Sequence, residues 1–177
     1  MAATVKIGRW TGSTAAFTDI TSANTRANAE DAHSTAGTSN PIKKPTSGSN
    51  YSYWVSTRLR AGTAPTGTID NIRWFSDGTN NFGTGITCLG NAASSYIQAT
   101  GTPGETGTQL TTGNHSGLTS APQDVFSYTS GSPKSLTGST TSTGDFGEYF
   151  VYQIAVSTAA GPGATSSETF SFRYDET

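Results

Sequence analysis

Few stretches of this chain bring together residue types that could do chemistry. Gly78-Thr-Asn-Asn-Phe-Gly83-Thr84 has the outer glycines of a phosphate-binding loop. Such a loop needs a lysine after its last glycine and a helix behind it, so that a cation and aligned N–H groups meet the phosphates. Thr84 stands where that lysine would be, and the phosphate reading fails. Asp77, Asn80 and Asn81 could offer oxygens to Ca²⁺. That ion takes roughly six to eight oxygens, several of them from carboxylates. One carboxylate and two amides suit a β-turn better.

His115-Ser116 sets a base beside a hydroxyl within Gly113-Asn-His-Ser-Gly117, but the strained G-x-S-x-G elbow of a nucleophilic serine is missing. The other histidine is His33 and the one cysteine is Cys88, with no zinc-binding spacing among them. Asp145 and Glu148 are three apart, which on a strand sets them on opposite faces. Asp175 and Glu176 diverge likewise, so neither pair is expected to form the two-carboxylate site of glycoside hydrolysis. Asn50-Tyr-Ser and Asn114-His-Ser fit the glycosylation pattern, which a Ser/Thr-rich chain generates by chance. No catalytic, cofactor-binding or metal-binding residue is predicted, and no cofactor. Trp54 is expected to share a strand face with Arg58 and Arg60, and Trp74 with Ile72. Exposed, either would serve as a sugar-stacking platform or a protein contact. A core otherwise short of large aliphatics favours burial.

The elements that must position these residues read as strands. Phe146–Ser157 is apolar on both sides: Phe146, Phe150, Tyr152, Ile154 and Val156 against Tyr149, Val151 and Ala155. A strand of that kind is covered on both faces. In 168–176, Phe170, Phe172 and Tyr174 alternate with Thr169, Ser171, Arg173 and Asp175, the period of a half-buried strand. The Gly161-Pro-Gly loop between the two suggests a long-looped hairpin. Thr4–Trp10 is a short strand to which Ala16–Ile20 can pair back. Tyr51–Arg60 and Thr68–Ser76 are strands, with Tyr51, Tyr53, Val55, Thr57 and Leu59 on one face of the first. Shorter strands are expected at 84–89, 95–100 and 125–128. Asn24–His33 is the one helix candidate, and 34–50 is an extended loop around Pro41 and Pro45. Residues 101–142 form a long polar stretch, more often functional surface than filler.

Composition agrees. Charged residues make up 12% and hydrophobic residues 32%, with 21 Gly and a net charge of −2. Ser and Thr disfavour helix interiors but suit strands and turns. The 18 aromatics must then supply most of a thin core. The expected fold is an all-β antiparallel sandwich, jelly-roll-like or immunoglobulin-like, over residues 50–177, preceded by a loop-rich extended arm with short strands over 1–49. The arm is expected to be separable from the β core. Residues 1–73 carry +4 and residues 74–177 carry −6. That balance excludes a strongly basic nucleic-acid binder, and no run is long enough to span a membrane. Cys88 is expected as a small core residue. The first residues lack the apolar core of a secretory signal, which implies synthesis in the cytoplasm.

The order Ile69-Asp-Asn-Ile-Arg-Trp-Phe-Ser-Asp-Gly78, Gly85-Ile-Thr, Tyr96-Ile-Gln-Ala-Thr100, Phe146-Gly-Glu-Tyr-Phe-Val-Tyr-Gln-Ile154 and Phe172-Arg-Tyr-Asp-Glu176 resembles the small β-rich virion structural proteins of tailed bacteriophages. These include head decoration, or cement, proteins. The resemblance covers about residues 50–177 and carries no catalytic residues. It implies a non-enzymatic virion protein, assembled in the host cytoplasm, that binds the major capsid protein or other virion proteins. It also implies a homo-oligomer, with a trimer as one form, and neither nucleic acid nor membrane as partner. The basic residues Lys6, Arg9, Lys43 and Lys44 would touch the shell. The alternative is a carbohydrate-binding sandwich on a fibre or capsid surface, which needs Trp54 or Trp74 exposed.

Overall fold

The computed structural model describes residues 2–34 and 39–177. In chain order the strands are β1 (Val5–Thr11), β2 (Ala16–Asp19), β3 (Ser49–Tyr51), β4 (Val55–Ala61), β5 (Ile69–Ser76), β6 (Ile86–Ala93), β7 (Gly101–Thr102), β8 (Thr106–Gly107), β9 (Gln123–Asp124), β10 (Lys134–Ser135), β11 (Gly144–Ser157) and β12 (Phe170–Glu176). A 3-10 turn occupies Val125–Ser127, where a strand is expected from sequence. Asn24–His33 is not helical, and residues 95–100 form no strand. Residues 35–38 of the expected loop 34–50 lie outside the described residues. The fold is all-β, and its sheets are antiparallel. The larger runs β2-β1-β4-β11-β6-β9 with β3 also on β11; the smaller runs β10-β5-β12; β7 and β8 make a separate ribbon.

β11 is the middle of the larger sheet, paired with β4 on one side and β6 on the other. Its two apolar faces therefore enter two cores. Phe146, Phe150, Tyr152 and Ile154 lie between the sheets with Ile69, Ile72 and Trp74 of β5. Tyr149 and Val151 face away, into a second cluster with Trp10, Tyr53, Trp54, Leu110 and Leu118. Among the described residues no long strand covers that face; residues 94–118, with the short β7–β8 ribbon, and the β1–β2 hairpin do, through Phe17, Tyr96 and Ile97. The long polar stretch is thus anchored by Leu110, His115 and Leu118, all buried. Cys88 is fully buried in the inter-sheet core, as expected.

β11 and β12 do not form a hairpin. Both edges of β11 are taken, so the 158–169 loop carries the chain to the other sheet, where β12 pairs with β5. Nor do residues 1–49 stand apart from the sandwich: β1 pairs with β4 from Val5↔Ala61 to Trp10↔Ser56, and β2 pairs back on β1. The expected strand 51–60 is interrupted. Ser52, Tyr53 and Trp54 stand opposite only Gln153 and Ile154 of β11. This bulge turns both Tyr53 and Trp54 into the second cluster, where strict alternation would separate them.

Side chains repair the ladder at the bulge. Ile154 N–H donates to the Ser52 hydroxyl at 3.0 Å, and Ser52 N–H donates to Ile154 O at 2.8 Å. Gln153, buried on the loop-covered face, donates to Ser52 O at 2.7 Å and Thr108 O at 2.8 Å, and accepts from Leu110 N–H at 2.6 Å. One amide thus ties the bulge to the covering segment. Between the sheets, Trp74 stacks on Phe150 with ring centroids 3.6 Å apart and planes 10° from parallel. Tyr128 meets both rings edge-on, and Phe170 of β12 lies 5.0 Å from Trp74.

Two substitutions test these supports by urea unfolding. Trp74→Ala removes the ring that joins the sheets and should cost about 3–5 kcal/mol. Gln153→Leu keeps the volume but strands two buried backbone groups, Ser52 O and Leu110 N–H, and the half-buried Thr108 O, and should cost about 2–4 kcal/mol. A cost below about 1 kcal/mol for Gln153→Leu would show that the covering segment is held by its apolar anchors alone.

Candidate functional site

The turn after β5 uses its polar groups on itself. Asp77 Oδ1 accepts from Thr79 N–H at 2.9 Å, and Asn80 Oδ1 accepts from Phe82 N–H at 3.1 Å. These are successive Asx-type turns. The Asn80 amide donates to Ile86 O at 2.9 Å, and Asn81 N–H donates to the Glu168 carboxylate. The oxygens are directed at backbone N–H groups, not at a common point. Among the described residues no three His, Cys, Asp or Glu side chains gather as metal ligands. Gly78 and Gly83 have the positive φ of turn residues, and β6 follows instead of a helix.

His115 and Ser116 are not brought together: Ser116 is exposed, and His115 is fully buried. The imidazole sits edge-on to Trp54, with centroids 5.3 Å apart, and neither ring nitrogen has a hydrogen-bond partner. Burial holds its pKa below the usual value. The ring works as a small aromatic under the loop. Trp54 itself donates from Nε1 to Ile97 O at 3.0 Å. Trp54, Trp74 and Trp10 are 3%, 1% and 4% exposed, so none offers a stacking face to a sugar.

Asp145 and Glu148 lie closer together than strand alternation predicts. The register of β11 against β4 shifts between Phe146 and Phe150, and Gly147 takes a φ of +73°. The shift swings Glu148 round, so that both residues line one shallow cleft of about 420 Å³ with Arg58, Ser94 and Ser139. Each is engaged already. Asp145 pairs with Arg60, and Glu148 Oε2 accepts from Thr137 N–H at 2.8 Å. Arg58, expected from sequence only to share a strand face with Trp54 and Arg60, donates from Nε to Gly147 O at 2.6 Å and lies over the Tyr149 ring. The cleft is a clamp on the β11 bulge. Its available chemistry is polar recognition by the guanidinium and the hydroxyls of Ser94 and Ser139.

Arg9, expected to reach outward, is 1% exposed. It shares its face of β1 with Val5 and Ile7, which pack toward the inter-sheet core. Nη1 donates to Thr25 Oγ1 at 2.8 Å and Arg26 O at 2.7 Å, while Nε has no partner. Thr25 Oγ1 also meets His33 Nδ1 at 3.1 Å. Burial lowers the Arg9 pKa, partly offset by the Tyr152, Asp31 and Glu30 side chains. Those acids are structural: Asp31 accepts from Gly12 N–H at 2.8 Å, and Glu30 accepts from the Asn28 and Asn40 amides at 2.9 and 2.6 Å. The signal that locates Arg9 inside is its even spacing with Val5 and Ile7. Of the other basic residues named above, Lys6 pairs with Asp19 at 2.9 Å, Lys43 approaches Glu105 at 3.9 Å, and Lys44 is exposed.

Comparison with known proteins gives no match among family models, curated proteins or solved structures. Among the described residues, no helix is long and apolar enough to cross a membrane.

His115 generates a pH dependence. Its folded pKa is depressed below the usual 6.5 by desolvation, so in the interval beneath that value the unfolded chain binds the proton and the folded chain does not. The contribution of His115 to stability is complete above about pH 6.5 and is lost as the pH falls through that interval. His115→Phe should flatten the decline between about pH 7 and pH 5 in urea melts. His33 is depressed too, by burial and then by Arg9, so His33→Gln is run beside it. An unchanged slope in His115→Phe would show that the buried imidazole is not the titrating group.

Proposed function

We propose that this chain is a non-enzymatic structural protein of a virion, most plainly a capsid decoration protein that binds the major capsid lattice. The observation that carries the reading is where the reactive side chains go. Asp77, Asn80, Glu148, Glu30, Asp31 and Gln153 all hold the protein's own backbone or its own amides. What faces outward is a two-sheet body dressed with Ser-, Thr- and Gly-rich loops. Such a surface suits many shallow contacts repeated over a lattice, where each contact is weak and the array gains by multivalency. The resemblance of residues 50–177 to phage head proteins points the same way. The carbohydrate reading is not carried forward, because it needs an exposed tryptophan.

Contact with the shell would run through Lys43 and Lys44 and the neighbouring exposed loop, since Arg9 is internal. Removal of residues 1–45 is no test of that contact, because it would also remove β1 from the main sheet. Point changes are better. Purified protein mixed with expanded, undecorated capsids should bind and raise the capsid melting temperature. Lys43→Glu with Lys44→Glu should weaken binding at low salt while leaving the protein's own melt unchanged. Failure of the wild type to bind, or binding that leaves capsid melting unmoved, would overturn the proposal.

A further inference from the structure

Among the described residues β12 pairs with β5 on one side and with no strand on the other; at its end the Glu176 carboxylate accepts from Ala3 N–H at 3.0 and 3.1 Å. The backbone groups along its outer edge can be placed. Thr68 and Thr177 exchange both backbone hydrogen bonds at 3.0 Å, while Ile69 exchanges both of its bonds with Thr140 on the opposite side. The ladder irregularity lies in β5, where Asn71 (φ +52°) and Ile72 together face Tyr174, so β12 itself runs without a break. Antiparallel alternation then turns Ser171, Arg173 and Asp175 toward β5, and points the N–H and C=O groups of Phe170, Phe172, Tyr174 and Glu176 outward. Among the described residues no backbone hydrogen bond reaches that edge. An open edge of this length is a template for another strand.

We infer that the outer edge of β12 binds a second copy of this chain, β12 against β12 about a two-fold axis, joining the two three-stranded sheets into one. Register follows from charge. Arg173 and Asp175 are both exposed on the outer face of the strand. With Tyr174 opposite its own mate, the outward groups of Tyr174, Phe172 and Glu176 form narrow pairs, giving about six hydrogen bonds, two per pair. In that register Arg173 of each copy faces Asp175 of the other in the wide pairs, where side chains approach closest. Sliding by two residues instead sets Arg173 against Arg173, and like charges directly opposite destabilise a sheet. The interface is isologous, so one favourable pair is made twice. Tyr174, Phe172 and Phe170 stay on the inner face with the core. This pairing stands on the strand alone, whether or not the protein sits on a capsid.

The test is the solution mass of the full chain across a concentration series, by light scattering and sedimentation. The wild type should pass from one to two chain masses. Arg173→Asp and Asp175→Arg should each weaken association by about tenfold or more, and the double exchange should restore it. Arg173→Asp is the cleaner arm, since Asp175 also accepts from the Asn71 amide at 2.6 Å. Thermal melts confirm that each variant is folded. Independently, mixing an Arg173→Cys protein with an Asp175→Cys protein under oxidation should give a covalent dimer that neither gives alone; Cys88, being buried, does not interfere. A monomer at every concentration, a trimer, a dimer indifferent to the charge exchange, or no crosslink on mixing would each overturn the inference.

Discussion

The fold depends on one strand having to be dry on both faces. β11 places Phe150, Tyr152 and Ile154 on one side and Tyr149, Val151 and Gln153 on the other, and every one of these is buried. A sandwich of two sheets covers only one side of its central strand. The other side must be closed by something else, and here it is closed by loop. That requirement explains why so polar a stretch as 94–118 is ordered, since its Leu110, His115 and Leu118 are inserted into a surface that β11 cannot leave wet.

A loop serving as a wall brings a difficulty of its own, because its backbone donors and acceptors are buried without a ladder to satisfy them. Gln153 answers this from the sheet side by bonding Leu110 N–H and Thr108 O. The same device recurs around Arg9, whose guanidinium holds Thr25 and the carbonyl of Arg26 over the edge of the inter-sheet core. Long polar side chains that would ordinarily face water are used inside as brackets for irregular backbone. The thin supply of Leu, Ile and Val is compensated by rings, with Trp74 on Phe150 bridging the gap between sheets.

Much of this is legible in the sequence, and the misses have a common cause. The two-faced character of 146–157, the strand at 69–76 and the β1–β2 pair follow from alternation alone. Period-two reasoning fails wherever a bulge adds a residue. At Ser52–Trp54 it assigns Tyr53 to the wrong core, and at Gly147–Tyr149 it separates Asp145 from Glu148, which share a cleft. The hairpin expectation fails because local pattern cannot show that both edges of β11 are already occupied by strands some ninety and sixty residues earlier. Nothing in its segment of Gly, Asn and Ser marks His115 as a buried residue. Only the tertiary hole beside Trp54 puts it inside.

The position of β11 along the chain has a consequence for how the molecule is made. β1, β4 and β6 leave the ribosome well before residues 144–157, yet β4 and β6 meet only through that later strand. Until it arrives, each presents an unpaired apolar edge, and the nascent chain carries two half-sheets without a seam. Closing a sheet across such separations is slow, on the order of milliseconds to seconds for β topologies. Crowded synthesis during that interval favours pairing between chains over pairing within one. β4 carries Arg58 and Arg60, charges that disfavour edge-to-edge pairing during that wait, whereas β6 carries none.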